Sequence, residues 1–96
     1  MELGLAGKVV IVTGGGAGIG AAISEQLAAE GAVPVILARR APEADWLAGL
    51  GPKAGWVQVD LADDQQCVAA VAEARARFGR IYGLVNNAGV NDGVGI

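Results

Sequence analysis

A glycine-rich stretch between an apolar run and a helix-like segment constrains the fold of this chain most. It reads Thr13-Gly14-Gly15-Gly16-Ala17-Gly18-Ile19-Gly20, follows the apolar residues 9–12 and precedes the helix-like residues 21–30. Strand, glycine turn and helix, in that order, are the layout of a nucleotide-binding βα unit. Such a turn needs glycine for a positive φ, for close approach of the backbone to a diphosphate, and for close packing of the helix on the strand.

The predicted first helix begins without a capping side chain. No Ser, Thr, Asp or Asn stands between Gly14 and Gly20, so its first N–H groups have no obvious side-chain acceptor. A phosphate would satisfy these groups and lie at the positive end of the helix dipole. The alternative is a tight turn whose amides are hydrated, although one or two glycines suffice for that.

The composition indicates one α/β domain. Of the 96 residues, 53% are hydrophobic and only 4% aromatic, which suits Ala, Val, Leu and Ile packed between helices and a parallel sheet. The net charge is −3 and the sequence has no basic run, so nothing indicates a basic surface that would bind nucleic acid. No apolar stretch reaches about 20 residues, so no membrane span is predicted. Cys67 is the only cysteine and favours a reducing, cytoplasmic location.

Apolar runs and helical patterns alternate along the chain and predict four strands and three connecting helices. We expect strands over residues 8–13, 33–38, 56–60 and 81–85, and helices over residues 18–30, 43–48 and from Asp63 onward. Pro34 should lie at the beginning of its strand. The last helix is expected to bury Val68, Val71, Ala72 and Phe78 and to begin with an Asp63/Gln66 capping box. Without hairpin signals, the sheet should be parallel and doubly wound, in the order 3-2-1-4.

Three motifs follow predicted strands, at the carboxyl edge where a doubly wound sheet binds its ligand. They are Thr13-Gly14-x-x-x-Gly18-x-Gly20, Asp60-Leu61 and Asn86-Asn87-Ala88-Gly89. In this order they resemble the short-chain dehydrogenase/reductase family, over nearly all of the chain but only the first part of a typical family domain. The resemblance implies a Rossmann-like fold in which residues 1–96 are the amino-terminal dinucleotide-binding part, and the carboxyl-terminal catalytic part is absent from this chain.

The resemblance also implies roles for individual residues. The cofactor-binding residues would be Gly14, Gly16, Ala17, Gly18, Ile19, Arg39, Asp60, Leu61, Asn87, Ala88 and Gly89. The glycine turn would cradle the phosphates, with Ile19 near the nicotinamide, and Asp60 would accept a hydrogen bond from the adenine amino group beside the Leu61 backbone. Residues 87–89 would line the adenosine ribose and the path to the nicotinamide. Asn86 would brace the sheet, and Asn91 would begin a loop that borders the substrate.

Two of these motifs have other interpretations when taken alone. Asp60 is also a typical helix-entry acid, and the pair Asn86-Asn87 is also typical of a turn. The glycine turn is what favours the cofactor-binding interpretation for both.

The end of the second predicted strand favours NADP over NAD. An NAD site of this type needs a carboxylate about 20 residues past the glycines, but Ala38-Arg39-Arg40 occupies that place. A guanidinium can pair bidentately with a 2′-phosphate, a role that we assign to Arg39. NAD is the alternative cofactor, because two surface arginines are often merely solvated and Ala17 adds no positive charge.

The family's proton-transfer residues, a serine and a Tyr-x-x-x-Lys pair, are missing from this chain. Tyr82 is its only tyrosine, with Asn86 where the lysine is needed, and Ser24 is its only serine, inside the first predicted helix. The chain has no histidine and no Cys/His cluster that would hold a metal. We therefore assign no catalytic residue and no metal site.

The sequence thus predicts the cofactor-binding part of an NADP(H)- or NAD(H)-dependent oxidoreductase that interconverts an alcohol and a carbonyl. The opening stretch and residues 87–93 most resemble sugar-oxidising members such as L-fucose dehydrogenases. The resemblance also implies a small-molecule substrate and a homo-oligomer when the protein is full length. The alternatives are a truncated, non-catalytic nucleotide-binding module and a protein-interaction fragment that uses the open edge of the fourth strand.

Overall fold

Strands and helices alternate along the chain. The computed structural model describes residues 4–14 and 16–87. The strands are β1 (Val9–Thr13), β2 (Val33–Ala38), β3 (Gly55–Gln58) and β4 (Ile81–Asn86), and the helices are α1 (Gly18–Ala29), α2 (Ala44–Gly49) and α3 (Asp64–Phe78). Ala88, Gly89 and Asn91 lie outside the described residues.

The four strands form one parallel sheet in the order β3-β2-β1-β4. The predicted Rossmann-like order is therefore confirmed. All five residues of β1 are buried, because β1 is a central strand with helices on both faces, and this explains why its sequence is continuously apolar rather than alternating.

Pro34 lies within β2 without disturbing the sheet. The amide of Val33 donates a 2.8 Å hydrogen bond to the carbonyl oxygen of Lys8 in the lead-in to β1, so strand alternation turns the nitrogen of Pro34 toward β3. Pairing with β3 begins only at Val35. No donor is therefore required at Pro34, and its predicted place at the start of the strand is confirmed.

Two apolar clusters cover the two faces of the sheet. The cluster beneath α1 and α2 is centred on Val12, Ile36 and Leu50. The cluster beneath α3 comprises Val9, Ile11, Val33, Val35, Leu37, Val57, Val59, Ala70 and Ala74. Trp46 of α2 packs against the first cluster, and its Nε1 donates a 2.7 Å hydrogen bond to Glu25 of α1.

The buried face of α3 differs from the predicted one. Val68 and Val71 are 73% and 41% exposed, whereas Ala70 and Ala74 are 3% and 0% exposed. Positions 67, 70, 74 and 78 follow the helical repeat and face the sheet. The prediction of Val68, Val71 and Ala72 was wrong because the face next to the sheet admits mainly small side chains, not the most hydrophobic ones.

Some predicted boundaries also shift. Glu43, expected as the first residue of a helix, is the cap of α2, and its carboxylate accepts hydrogen bonds from the amides of Asp45 and Trp46 at 3.1 and 3.0 Å. β3 begins at Gly55 and ends at Gln58, not at residues 56 and 60. Among residues 4–14 and 16–87, no helix is long and apolar enough to cross a bilayer.

Candidate dinucleotide site at the carboxyl edge of the sheet

The glycine turn lies where the chain leaves the carboxyl end of β1. The chain passes from β1 to β2 and β3 on one side of the sheet and later adds β4 on the other side of β1. This reversal creates a crevice next to the carboxyl ends of the strands, at the topological switch point where open α/β sheets bind ligands. The turn and Asn87, which directly follows β4, therefore meet at the expected place.

The glycines of the turn differ in what requires them. Gly14 and Gly18 have φ angles of 65° and 55°, a region that costs other residues about 1–2 kcal/mol. A Cβ at Gly20 would overlap the carbonyl oxygen of Gly14 and lie 2.7 Å from Asn87 Nδ2, so Gly20 permits the close packing of α1 on the turn. A Cβ at Gly16 would come no nearer than 3.5 Å to Pro42. The fold itself therefore does not require glycine at position 16.

The amino terminus of α1 has no side-chain cap. Its N-cap residue, Ala17, offers no acceptor, the first turn contains no acid, and the first intrahelical bond runs from the amide of Ala21 to the carbonyl oxygen of Ala17 at 3.2 Å. In contrast, α2 and α3 are capped by the carboxylates of Glu43 and Asp63. The prediction of an uncapped first helix is confirmed, and α1 alone among the described helices lacks both a capping side chain and a first-turn acid that would offset its dipole.

Thr13 joins the turn to the end of β4. Its Oγ1 accepts a 2.8 Å hydrogen bond from the amide of Asn87 and donates a 3.1 Å hydrogen bond to Asn86 Oδ1. Asn87 is 3% exposed, and its Nδ2 lies 3.5 Å from the carbonyl oxygen of Gly14. The side chain of Asn86 thus links β4 to β1, and the side chain of Asn87 contacts the backbone of the glycine turn. We did not predict this role of Thr13, although a hydroxyl at the end of a buried apolar strand signals it.

Asp60 follows β3 and closes the turn into α3. Its Oδ1 accepts a 3.0 Å hydrogen bond from the amide of Ala62, and its own amide donates a 2.9 Å hydrogen bond to Gln66 Oε1. Asp60 therefore stabilises the turn that leads into α3, whereas the acid that caps this helix is Asp63. Its second carboxylate oxygen makes no hydrogen bond within residues 4–14 and 16–87 and is available to a ligand. Leu61 packs against the cluster beneath α3.

Only half of the predicted capping box forms. Asp63 Oδ1 accepts a 3.1 Å hydrogen bond from the amide of Gln66, as predicted. The reciprocal bond from the Gln66 side chain was predicted wrongly, because the amide of Asp63 already donates to the carbonyl oxygen of Asp60 at 3.0 Å. The Gln66 side chain instead holds the backbone of Asp60.

Two exposed arginines follow β2. A hollow of about 210 Å³ is lined by Gly14, Gly16, Ala17, Ala38, Arg40, Ala41 and Pro42. Arg40 therefore lies beside the glycine turn. Arg39, which the sequence singled out, does not line this hollow, and its carbonyl oxygen lies 3.5 Å from Gln58 Nε2.

The only serine and the only tyrosine of the chain lie away from this crevice. Ser24 is fully buried in α1 and donates a 2.9 Å hydrogen bond to the carbonyl oxygen of Gly20. Tyr82 lies near the amino end of β4, where Lys8 Nζ is 5.0 Å from its ring centroid. In the described part of the chain, no three His, Cys, Asp or Glu side chains cluster as metal ligands would.

The sequence of this chain is similar to those of known proteins. A family model described as short chain dehydrogenase matches residues 8–96. A 2,5-dichloro-2,5-cyclohexadiene-1,4-diol dehydrogenase of Sphingobium indicum is 42% identical over 88 residues, which cover 90% of this chain and 35% of that protein.

Solved structures show the same likeness. The Cj0485 dehydrogenase superimposes with a TM-score of 0.87 at 39% identity, over 96% of this chain and 36% of that one. An NADH-dependent reductase in complex with NAD superimposes with a TM-score of 0.82 at 32% identity, over 92% of this chain and 38% of that one. The chain thus spans about a third of the length of the relatives that it matches. It belongs to the short-chain dehydrogenase/reductase family.

Proposed function

We propose that this chain binds a nicotinamide dinucleotide for an oxidoreductase that interconverts an alcohol and a carbonyl. The observation that carries the proposal is the uncapped amino terminus of α1, at a turn where Gly18 faces open space and Gly16 has only Pro42 within 4 Å of an added Cβ. Free amides at the positive end of a helix favour a diphosphate. Family membership and the similar reductase solved with NAD support a nicotinamide dinucleotide as the ligand.

Each part of the site has a proposed role. The amides of residues 16–19 bind the diphosphate, and the free carboxylate oxygen of Asp60 accepts a hydrogen bond from the adenine amino group, next to the backbone of Leu61. For Ala88 and Gly89 we propose contacts with the ribose and the path to the nicotinamide, and for Asn91 a place beside the substrate. When bound, the nicotinamide ring supplies or accepts the hydride.

The test is a calorimetric titration of the intact protein that carries this chain with NADPH and with NADH. Gly16→Val fills the open surface of the turn, and because its Cβ has room, we expect the fold to persist while affinity for both dinucleotides falls at least tenfold. Gly49→Val is the matched control, since it adds the same atoms at a position where nothing lies within 4 Å of the new Cβ. If the parent protein binds neither dinucleotide at millimolar concentration, the proposal is wrong.

We further propose that the preferred cofactor is NADP. The two residues directly after β2 are arginines rather than an acid, and the hollow beside the glycine turn, which Arg40 lines, suits the 2′-phosphate of an adenosine ribose. A lost charge-assisted hydrogen bond costs about 1.5–3 kcal/mol, which is roughly 10- to 100-fold in affinity.

The variants Arg39→Asp and Arg40→Asp serve as controls for each other, because both change the charge equally. The variant that loses the phosphate contact should bind NADPH 10- to 100-fold more weakly, by the energies just given, and NADH about as well as before. If neither variant alters the ratio of NADPH to NADH affinity, the arginines are only solvated and the preference for NADP fails.

For the substrate we propose a polyhydroxylated alcohol such as a sugar. The support is the resemblance of the opening stretch and residues 87–93 to sugar-oxidising members, whereas the relative named above is a dehydrogenase of a chlorinated cyclic diol. We expect the intact protein to reduce NADP⁺ in the presence of L-fucose or a related sugar. Turnover of simple secondary alcohols but of no sugar would contradict this assignment.

In this proposal, residues 1–96 are the amino-terminal, dinucleotide-binding part of the domain, and residues outside them transfer the proton. The family resemblance further supports a homo-oligomer, which sedimentation of the intact protein would test. A cytoplasmic location is proposed from the single cysteine, Cys67.

A non-catalytic nucleotide-binding module is the second candidate function. The observation that favours it is the absence of the Tyr-x-x-x-Lys pair from this chain, in which Tyr82, the only tyrosine, lies at the amino end of β4. A module of this kind would bind NADPH, yet the intact protein would oxidise no alcohol. Steady-state turnover of the intact protein therefore distinguishes the two candidates.

A further inference from the structure

A groove opens at the amino-terminal edge of the sheet, opposite the glycine turn. It consists of two hollows of about 400 and 510 Å³ that share Gly7, Val9 and Phe78. Both volumes fall in the range of small-molecule sites, about 300–1,000 Å³. Because Gly7 precedes β1 and Phe78 ends α3 just before β4, the groove is separated from the proposed dinucleotide site by the length of the strands.

Four cationic side chains line this groove. Lys8 and Arg80 line the first hollow, and Lys53 and Arg77 line the second. They are four of the seven lysines and arginines of a chain whose net charge is −3. The positive charge of an acidic protein is thus concentrated at one edge of the sheet.

Most of this charge is not neutralised by the protein. Arg77 pairs with Glu73 at 2.8 Å, and this is the one ion pair found among residues 4–14 and 16–87. Arg77 also lies in the last turn of α3, where a cation complements the helix dipole. Lys8, Lys53 and Arg80 lie outside the helices, and no carboxylate in the described ranges forms an ion pair with any of the three.

The floor between the cations is apolar. Val9 belongs to the cluster beneath α3, and Phe78 packs against that cluster. Tyr82 is 58% exposed and is the extra residue where the register between β1 and β4 shifts, since Val9 pairs with Ile81 but Val10 pairs with Gly83. Such a bulge turns a side chain out of the regular alternation, and here it places the ring beneath Lys8 Nζ.

We propose that this groove binds a small amphipathic organic anion, a carboxylate attached to an apolar chain or ring. The apolar part would lie on Val9, Phe78 and Tyr82, and the carboxylate would lie between the Lys53 and Arg80 head groups. Exposed cations hold hydrated simple ions weakly, so burial of the apolar part is what makes binding specific. The site is independent of the dinucleotide site.

Calorimetric titration of the intact protein with octanoate, at fixed salt, tests this proposal. We expect one octanoate per chain, with affinity rising about two- to fourfold for each CH₂ added from butanoate to octanoate, the upper value being full burial of the group. Arg80→Glu and Lys53→Glu should each weaken octanoate binding about tenfold or more, because each replaces an attractive charge with a repulsive one. Saturating NADPH should leave the affinity unchanged.

Arg75→Glu is the matched control. Arg75 lies in the last turn of α3 and does not line either hollow, so the same charge change there should alter octanoate affinity less than twofold, and circular dichroism should show all variants folded. Absence of octanoate binding at millimolar concentration would overturn the proposal. So would an equal loss on Arg75→Glu, an affinity independent of chain length, full competition by inorganic phosphate, or displacement by NADPH.

Discussion

Replacing Gly20 with alanine tests whether α1 must lie close to the glycine turn. The added Cβ would overlap the carbonyl oxygen of Gly14 and lie 2.9 Å from its carbonyl carbon and 2.7 Å from Asn87 Nδ2. Contacts under 3.0 Å essentially never occur for a real Cβ. Because the Gly14 atoms are backbone, they cannot rotate away, and α1 would have to withdraw from the turn.

The expected cost follows from these contacts. Overpacking of this kind costs about 1–3 kcal/mol. We expect the cost of Gly20→Ala to lie near the upper value, because the new Cβ meets backbone atoms. Displacement of the Asn87 side chain from Gly14 removes a hydrogen bond, which adds about 1 kcal/mol. Alanine is a better helix former than glycine by about 1 kcal/mol. Together these effects predict that the free energy of unfolding falls by about 2–3 kcal/mol.

Urea unfolding of the intact protein, followed by tryptophan fluorescence, measures this change. Gly49→Ala is the control, since Gly49 is also helical but has nothing within 4 Å of an added Cβ. Its stability should stay equal or rise by up to about 1 kcal/mol. If Gly20→Ala behaves like Gly49→Ala, the close packing of α1 on the turn is not required and the reasoning is refuted.

Three further changes test other contacts. Thr13→Val leaves a buried amide after β4 without its acceptor and should lower the free energy of unfolding by about 1–3 kcal/mol; an unchanged urea midpoint would contradict the role of the hydroxyl. Gln66→Ala removes the hydrogen bond that holds the amide of Asp60 and should weaken binding of NADPH. It should not weaken binding of reduced nicotinamide mononucleotide, which has no adenine. Equal effects on both ligands would argue against an adenine subsite at Asp60. Ala74→Val should lower the free energy of unfolding by about 1–3 kcal/mol in thermal or urea unfolding, whereas Val68→Ser should change it by less than about 0.5 kcal/mol. A larger loss for Val68→Ser than for Ala74→Val would show that the face of α3 predicted from the sequence is the buried one.

The strand order and the position of the glycine turn could be predicted because local signals and topology agree. The apolar residues of β1 admit only a central strand, and alternating strands and helices admit only right-handed crossovers. The uncapped start of α1 was also predictable, because a cap requires a side chain that residues 14–20 do not contain.

Contacts that depend on the spacing between elements could not be predicted. The distance from α3 to the sheet selects Ala70 and Ala74 rather than the larger Val68 and Val71. The side-chain oxygen of Gln66 accepts a hydrogen bond from the amide of Asp60 rather than from the amide of Asp63, because the amide of Asp63 is engaged in a turn hydrogen bond that no residue type signals. The same limit applies to the two arginines after β2, because their side-chain directions depend on the course of the following loop.

The binding of a diphosphate at the start of α1 can be observed directly by NMR spectroscopy of the intact protein labelled with ¹⁵N-glycine. On addition of NADPH, the amide resonances of Gly16, Gly18 and Gly20 should shift strongly, because new hydrogen bonds form there. Those of Gly31 and Gly79, which precede β2 and β4 at the opposite edge, should stay in place. Shifts at Gly31 and Gly79 without shifts in the turn, or no shifts at saturating NADPH, would contradict the proposed site.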